Sequence, residues 1–133
     1  LSQIDIMATL AEIVGFDLPE DAADDSHVQL NLWKGGTTAR RTLVHNTKEN
    51  HYAIRQDNWV LIDAPSGNVT AVPAWFDAAN GYATNPHPAA LYDLRQDLKQ
   101  ADNLYVKQAE KVRQMRDELA RIRKSGEVRL NRN

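Results

Sequence analysis

The chain has 133 residues, 42% hydrophobic and 26% charged, which is the bulk of one ordinary globular domain and too little for two full ones. It has 0 Cys, which excludes disulfides, thiol nucleophiles and thiolate metal sites. The formal net charge of −2 hides an uneven spread: residues 1–106 carry 7 basic and 14 acidic side chains, and residues 107–133 carry 9 and 4.

Ser2-Gln3-Ile4-Asp5 offers a hydroxyl cap with a carboxylate three residues on, and Ile4, Met7, Leu10, Ala11 and Val14 recur at helical spacing until Gly15 stops the helix. Asp21, Asp24 and Asp25 form an acidic cluster without the alternating oxygen ligands, central glycine and closing glutamate of a calcium loop. Capping is the better reading: Asp25 or Ser26 caps a short helix through Val28, Leu30 and Trp33, which Gly35-Gly36 ends.

From Thr42 the period changes. Thr42–Thr47, Tyr52–Gln56 and Trp59–Asp63 are rich in β-formers and read as strands, the last two joined by Asp57-Asn58, residues that tolerate the positive φ of a tight hairpin. Ala89–Asp93 reads as a further strand. Between them, residues 64–88 make a long excursion holding four of the five prolines, and a loop this long is functional or packs against something else. Val106, Ala109, Val112, Met115, Leu119 and Ile122 mark the apolar stripe of a last helix ending near Ser125-Gly126, with Met115 read as core. Its charges are expected to pair as Arg113/Asp117 and Asp117/Arg121 on a solvated face. Without interleaved aromatics they make no nucleic-acid groove, so no nucleic-acid partner is expected. No apolar stretch reaches the roughly 20 residues of a membrane span and Leu1–Gly15 lacks the basic start and cleavage site of a signal peptide, so no membrane partner is expected either. The order of elements predicts an α+β fold: two short helices, then a small antiparallel sheet of about four strands packed by a long C-terminal amphipathic helix.

Catalytic constellations are missing. There is no glycine-rich phosphate loop, no histidine pair at metal spacing and no Gly-x-Ser-x-Gly elbow. His27, His45, His51 and His87 are scattered, and His45 meets His51 only if their two strands pair. Asp93 and Asp97 are better read as ending a strand and capping the next turn than as an acid/base pair. Asn68-Val69-Thr70 fits the N-glycosylation pattern.

The order of short motifs says more than any one of them. Ser2–Gly15 followed by Leu18-Pro19 resembles the stretch that closes the catalytic domain of the formylglycine-dependent (type I) sulfatases, with Ala8 where that pattern has proline. Ala22–Ser26 resembles the family's acidic Asp-Ser variant, and Leu43-Val44-His45 with Tyr52–Ile62 resembles its L-V-H and A-I-R-x-x-x-W-K-L-I hairpin, with Val60 in place of lysine. Leu91–Leu94, Asp97 and Asn103-Leu104 match L-Y-D-L-x-x-D-x-x-x-x-x-N-L, and Arg121–Arg129 with Gly126 resembles the closing G-x-x-R.

The resemblance implies a C-terminal fragment of a sulfuric ester hydrolase. Residues 1–36 would end the catalytic domain and its linker helix, and 37–133 would form the C-terminal α+β subdomain. The family's formylglycine and Ca²⁺ would belong to the absent N-terminal catalytic domain, so this piece has no catalytic residue and no metal site of its own. Its implied partners are that domain and, through the parent, a sulfated small molecule or glycan. His45, Asn46, Trp75 and Phe76 are the candidate substrate contacts and Arg55 the candidate inter-domain residue. An exported parent, periplasmic, extracellular or lysosomal, is implied too. A piece of a larger enzyme is expected to leave apolar residues uncovered on Leu1–Val14 and to self-associate through them. Two other readings predict different behaviour: a stand-alone carbohydrate- or protein-binding module built on residues 64–88, and a polyanion binder working through the basic C-terminal helix.

Overall fold

The computed structural model describes residues 2–19, 21–38, 40–48, 50–65, 75–76, 79 and 85–125. They fall into two compact units, Leu1–Arg41 with Ile122–Asn133, and Thr42–Arg121.

The second unit is built on a four-stranded antiparallel sheet in the order β1-β2-β3-β4. Its strands are β1 (Thr42–Lys48), β2 (His51–Gln56), β3 (Trp59–Asp63) and β4 (Ala90–Asp93), each within a residue of the sequence expectation. Asp57 takes a φ of 52°, the left-handed conformation that the two-residue turn between β2 and β3 requires. Val44, Ile54, Leu61 and Leu91 stand directly opposite one another across the four strands, so one row of side chains crosses the whole sheet. Ile54, Leu61 and Leu91 are fully buried.

The helix α3 (Ala109–Ser125) covers this face, with Val112, Met115 and Leu119 buried. Trp59 and Asp63 lie two residues either side of Leu61 and so share its face. Lys111 sets its ammonium 5.7 Å from the Trp59 ring centre, and Arg116 donates from Nε to Asp63 Oδ1 at 2.8 Å. The predicted α+β arrangement is therefore observed, with Met115 in the core as expected.

Three details differ from the sequence reading. Val106 and Ala109 are exposed, because at 100° per residue they fall off the side of the helix that Val112, Met115 and Leu119 share. The salt bridges of α3 run at i,i+3, Arg113 to Glu110 and Arg121 to Glu118, where a shorter reach gives bonds of 2.7 and 2.8 Å, rather than through Asp117. His45 and His51 do not pair: the tight turn places His51 opposite Lys48, and a bulge between Asn46 and Lys48 leaves His45 opposite Ala53.

The outer edge of β4 is closed by one side chain. Asn103 accepts from the Leu91 and Tyr105 N–H groups through Oδ1, at 3.0 and 2.9 Å, and donates from Nδ2 to Asn85 Oδ1 at 2.9 Å. Leu104 then donates its N–H to the Leu91 carbonyl at 2.8 Å. Asp93 and Asp97 do what the sequence reading assigned them. The Asp93 carboxylate accepts from the Arg95 N–H, and Asp97 accepts from the Asp102 N–H at 2.9 Å. That bond and further amides of the same turn hold the Asp97 carboxyl below its ordinary range.

In the first unit a single 3₁₀ turn (Gln3–Asp5) leads into α1 (Ile6–Val14), ended by Gly15 at a φ of 68°. The expected apolar stripe does not face inward. Ala8, Thr9 and Ala11 are buried, while Ile6, Met7, Leu10, Ile13 and Val14 are exposed, the uncovered apolar residues expected on Leu1–Val14. The second helix, α2, is one turn only (Leu30–Trp33). Neither Asp25 nor Ser26 caps it, because Ser26 is buried and spends its hydroxyl on α1, accepting the Ala8 N–H at 3.1 Å. Gly35-Gly36 follows α2 as expected, and a Cβ at Gly36 would meet the Asn31 carbonyl oxygen at 2.9 Å.

Leu61→Ala should lower the unfolding free energy in urea by about 2–5 kcal/mol, since it empties the middle of the buried row, whereas Val106→Ala should change it by less than about 0.5 kcal/mol.

Candidate functional site

The candidate residues lie on the sheet and on the excursion between β3 and β4. His45 and Asn46 are both exposed and adjacent on β1, but strand alternation sends them to opposite faces. Asn46 stays on the turn side, donating from Nδ2 to the His51 carbonyl at 3.2 Å. His45 shares the face opposite α3 with Arg55, which sits diagonally across the β1–β2 pair. Arg55 is exposed and donates from Nε to the Asp57 carbonyl at 3.0 Å, so its guanidinium braces the hairpin turn beside it.

Of the excursion, residues 66–74, 77–78 and 80–84 lie outside the described residues, and the Asn68–Thr70 glycosylation pattern lies there too, as do Gly126 and Arg129 at the end of the chain. Trp75 and Phe76 are described. Their rings meet edge to face, 5.8 Å apart at 74°, and Trp75 remains 70% exposed. The Trp75 ring is therefore a large, mostly exposed aromatic surface. Among the described residues no group of three or more His, Asp or Glu is disposed to hold a metal ion. The sequence has 0 Cys and no Ser-x-Pro-Ser-Arg run, the residues on which the resembling family forms its formylglycine.

The strongest polar constellation was read from sequence only as a cap. Asp5 has no exposed surface, and the Arg40 side chain is 7% exposed. Arg40 Nε lies 3.0 Å from both Asp5 oxygens and its Nη2 2.5 Å from Oδ1, while a second bond from Nη2 goes to the Asp25 carbonyl. Asp5 Oδ1 also accepts the His27 N–H at 3.0 Å, and Oδ2 accepts Gln29 Nε2 at 3.2 Å and the Ser2 N–H at 3.4 Å. Thr9 completes the cluster by donating to the Asp5 carbonyl and accepting the Gln29 N–H, at 2.7 and 3.0 Å. Gln29 Oε1 in turn accepts from the Thr38 hydroxyl at 2.7 Å. Among the described residues no buried side-chain nitrogen or oxygen lacks a partner. Burial pushes the Asp5 carboxyl up. The Arg40 hydrogen bonds, the His27 N–H, the Arg40 charge and the Ser2 N–H outweigh it and hold the group below its ordinary range. Every member is committed, so this cluster is a fastener and offers no open position for a substrate. The sequence carried one signal of it: Asp5, Ala8 and Thr9 share a helix side opposite the large apolar residues.

These features define an α+β region held by one apolar row and one buried polar cluster. No family model matches the chain. In sequence it is 35% identical over 123 residues, 92% of its length, to an N-acetylgalactosamine-6-O-sulfatase of Bacteroides thetaiotaomicron, of which it spans 23%. In structure it is similar to a protein solved in work on the metabolism of multiple glycosaminoglycans by Bacteroides thetaiotaomicron, with 33% identity and a TM-score of 0.69 over 92% of this chain and 25% of that one. A 2-O GAG sulfatase shares the fold, with 18% identity and a TM-score of 0.59 over 92% of this chain and 24% of that one. The chain is thus similar to sulfatases over nearly all of its length, consistent with a C-terminal sulfatase region, and it spans about a quarter of the length of the proteins it matches.

Arg40→Ala leaves a buried carboxylate without its cation and should cost about 3–5 kcal/mol of stability in a denaturant titration. The Asp5 carboxyl titrates lower folded than unfolded, so its contribution is complete above about pH 4 and is lost as pH falls through its depressed folded value. Asp5→Asn should flatten that acid limb while lowering stability at neutral pH.

Proposed function

We propose that this chain is the C-terminal region of a sulfuric ester hydrolase acting on a sulfated glycan, where it packs on the catalytic domain and walls the substrate cleft. The observation that carries the reading is 35% identity over 92% of the chain to an N-acetylgalactosamine-6-O-sulfatase, supported by the fold shared at 33% identity. The nucleophile and the divalent cation come from the rest of the enzyme. The formylglycine and Ca²⁺ of the resembling family supply attack on sulfur and neutralisation of its oxygens when present.

The residues of this chain have the other half of the task. Trp75 offers an exposed ring, with Phe76 holding its edge, and apolar sugar faces stack on such a ring. His45 and Asn46 add exposed hydrogen-bonding groups on β1. Arg55 stands on the His45 face as the residue that meets the neighbouring domain. Export to the periplasm, the cell exterior or a lysosome fits a polysaccharide substrate.

The test uses the full-length natural enzyme. Trp75→Ala and His45→Ala should each lower kcat/KM on a sulfated N-acetylgalactosamine oligosaccharide about tenfold, a loss of about 1.4 kcal/mol in transition-state binding. Turnover of a small chromogenic aryl sulfate, which has no sugar to stack, should stay within about twofold. Oligosaccharide turnover by both variants at the level of the unsubstituted enzyme removes the cleft-wall role, and a full-length enzyme inert toward every sulfate ester removes the hydrolase reading. The 133-residue chain alone should leave the aryl sulfate intact.

A further inference from the structure

We propose that Arg116 is a positioning residue for glycan recognition, tying together the two ends of the excursion that carries Trp75. The inference rests on the proposed function and names the side chain that sets where the Trp75 ring is presented.

The excursion leaves the sheet after Asp63, the last residue of β3, and returns through His87 to β4. Trp75 lies 12 residues from each of these two ends. The returning end is fastened by its own contacts. Asn85 donates from Nδ2 to the Ala89 carbonyl at 3.0 Å, and its Oδ1 accepts the His87 N–H at 3.1 Å and Asn103 Nδ2 at 2.9 Å. The Tyr105 ring stacks on the His87 ring, with 5.7 Å between their centres and 24° between their planes.

Arg116 joins this end to the departing one. Its guanidinium carbon lies 5.5 Å from the Tyr105 ring centre and its Nη1 donates to the Tyr105 hydroxyl at 3.4 Å, while Nε and Nη2 each lie 2.8 Å from Asp63 Oδ1. Asp63, Arg116, Tyr105 and His87 thus make one run of contacts between two residues 24 apart in sequence. The residue type suits the place: a planar guanidinium stacks on a ring and forks to a carboxylate at the same time, and a lysine ammonium does not. The ion pair is 38% and 32% exposed, so it adds little to stability. Its effect is geometric. A segment fixed at both ends has fewer positions open to its middle than one fixed at a single end, and a ring already held near its binding position gives up less freedom when a sugar stacks on it.

The test is steady-state kinetics of the full-length natural enzyme on a sulfated N-acetylgalactosamine oligosaccharide, comparing Arg116→Ala, Trp75→Ala and the double variant. Arg116→Ala should raise KM about threefold with kcat within about 1.5-fold, and should raise KM by less than about 1.3-fold when Trp75 is already alanine. Asp63→Asn, which weakens the departing tie and leaves the core untouched, should reproduce the KM rise and serves as the test if Arg116→Ala does not fold. An unchanged KM overturns the proposal. A fall in kcat at unchanged KM overturns it too, since that is the mark of enzyme lost to misfolding, and so does a threefold KM rise that persists in the Trp75→Ala background. The proposed function is read from Trp75→Ala by itself: normal kinetics for Arg116→Ala beside an impaired Trp75→Ala reject the positioning role and leave the cleft wall standing, whereas an unimpaired Trp75→Ala rejects both.

Discussion

The buried pair of Asp5 and Arg40 is the constraint on which the first unit depends. A carboxylate taken wholly out of water is costly unless its oxygens are met by donors, and here a guanidinium fork, two backbone amides and a glutamine amide meet them. The donors come from residues 2, 27, 29 and 40, so satisfying one side chain requires three separated stretches of chain, around residues 2–5, 27–29 and 40, to converge. Such a pair adds little net stability compared with an apolar contact of equal size. It does make alternative arrangements expensive, since each would leave a charge buried alone. That explains how a segment with so few large buried residues holds one conformation: the unit is specified by polar satisfaction where most small domains use aliphatic bulk.

The second unit follows the opposite rule. Its order comes from the row Val44, Ile54, Leu61 and Leu91 and the stripe Val112, Met115 and Leu119 laid over it, with few charges involved. Arg116 and Lys111 work at the margins of that contact, reaching Asp63 and Trp59 at the two ends of β3. Between them the two residues hold the helix along β3 with their long aliphatic stems, while their charged ends stay near water.

This difference decides what was legible from sequence. The sheet was readable because alternation, β-branched residues and a turn-forming Asp57-Asn58 all point the same way, and the strands fall within a residue of the expected bounds. The C-terminal helix is readable from the stripe Val112, Met115, Leu119 and Ile122, while Val106 lies off that side of the helix and is exposed. The role of Asp5 was not readable. A serine followed three residues later by an acid is a capping pattern, and nothing local tells that the acid will be claimed by an arginine 35 residues away. Ser26 was misread for the same reason, its hydroxyl serving a helix 18 residues back. The candidate contacts His45, Asn46, Trp75 and Phe76 were chosen by chemistry and motif, and the fold adds that His45 and Asn46 address opposite faces of the sheet.

Asn103 shows how much can hang on the difference between an amide and an acid. Its Nδ2 faces two acceptors, Asn85 Oδ1 and the Ala89 carbonyl, while its Oδ1 receives two backbone N–H groups along the edge of β4. Spontaneous deamidation would replace that NH₂ by an oxygen of the same size, turning both attractive contacts into repulsions without any loss of volume. The segment that shields β4 would then loosen, and an unpaired strand edge is the feature through which folded proteins join into aggregates. The side chain that finishes the sheet is therefore one whose amide nitrogen, exchanged for an oxygen, would undo it.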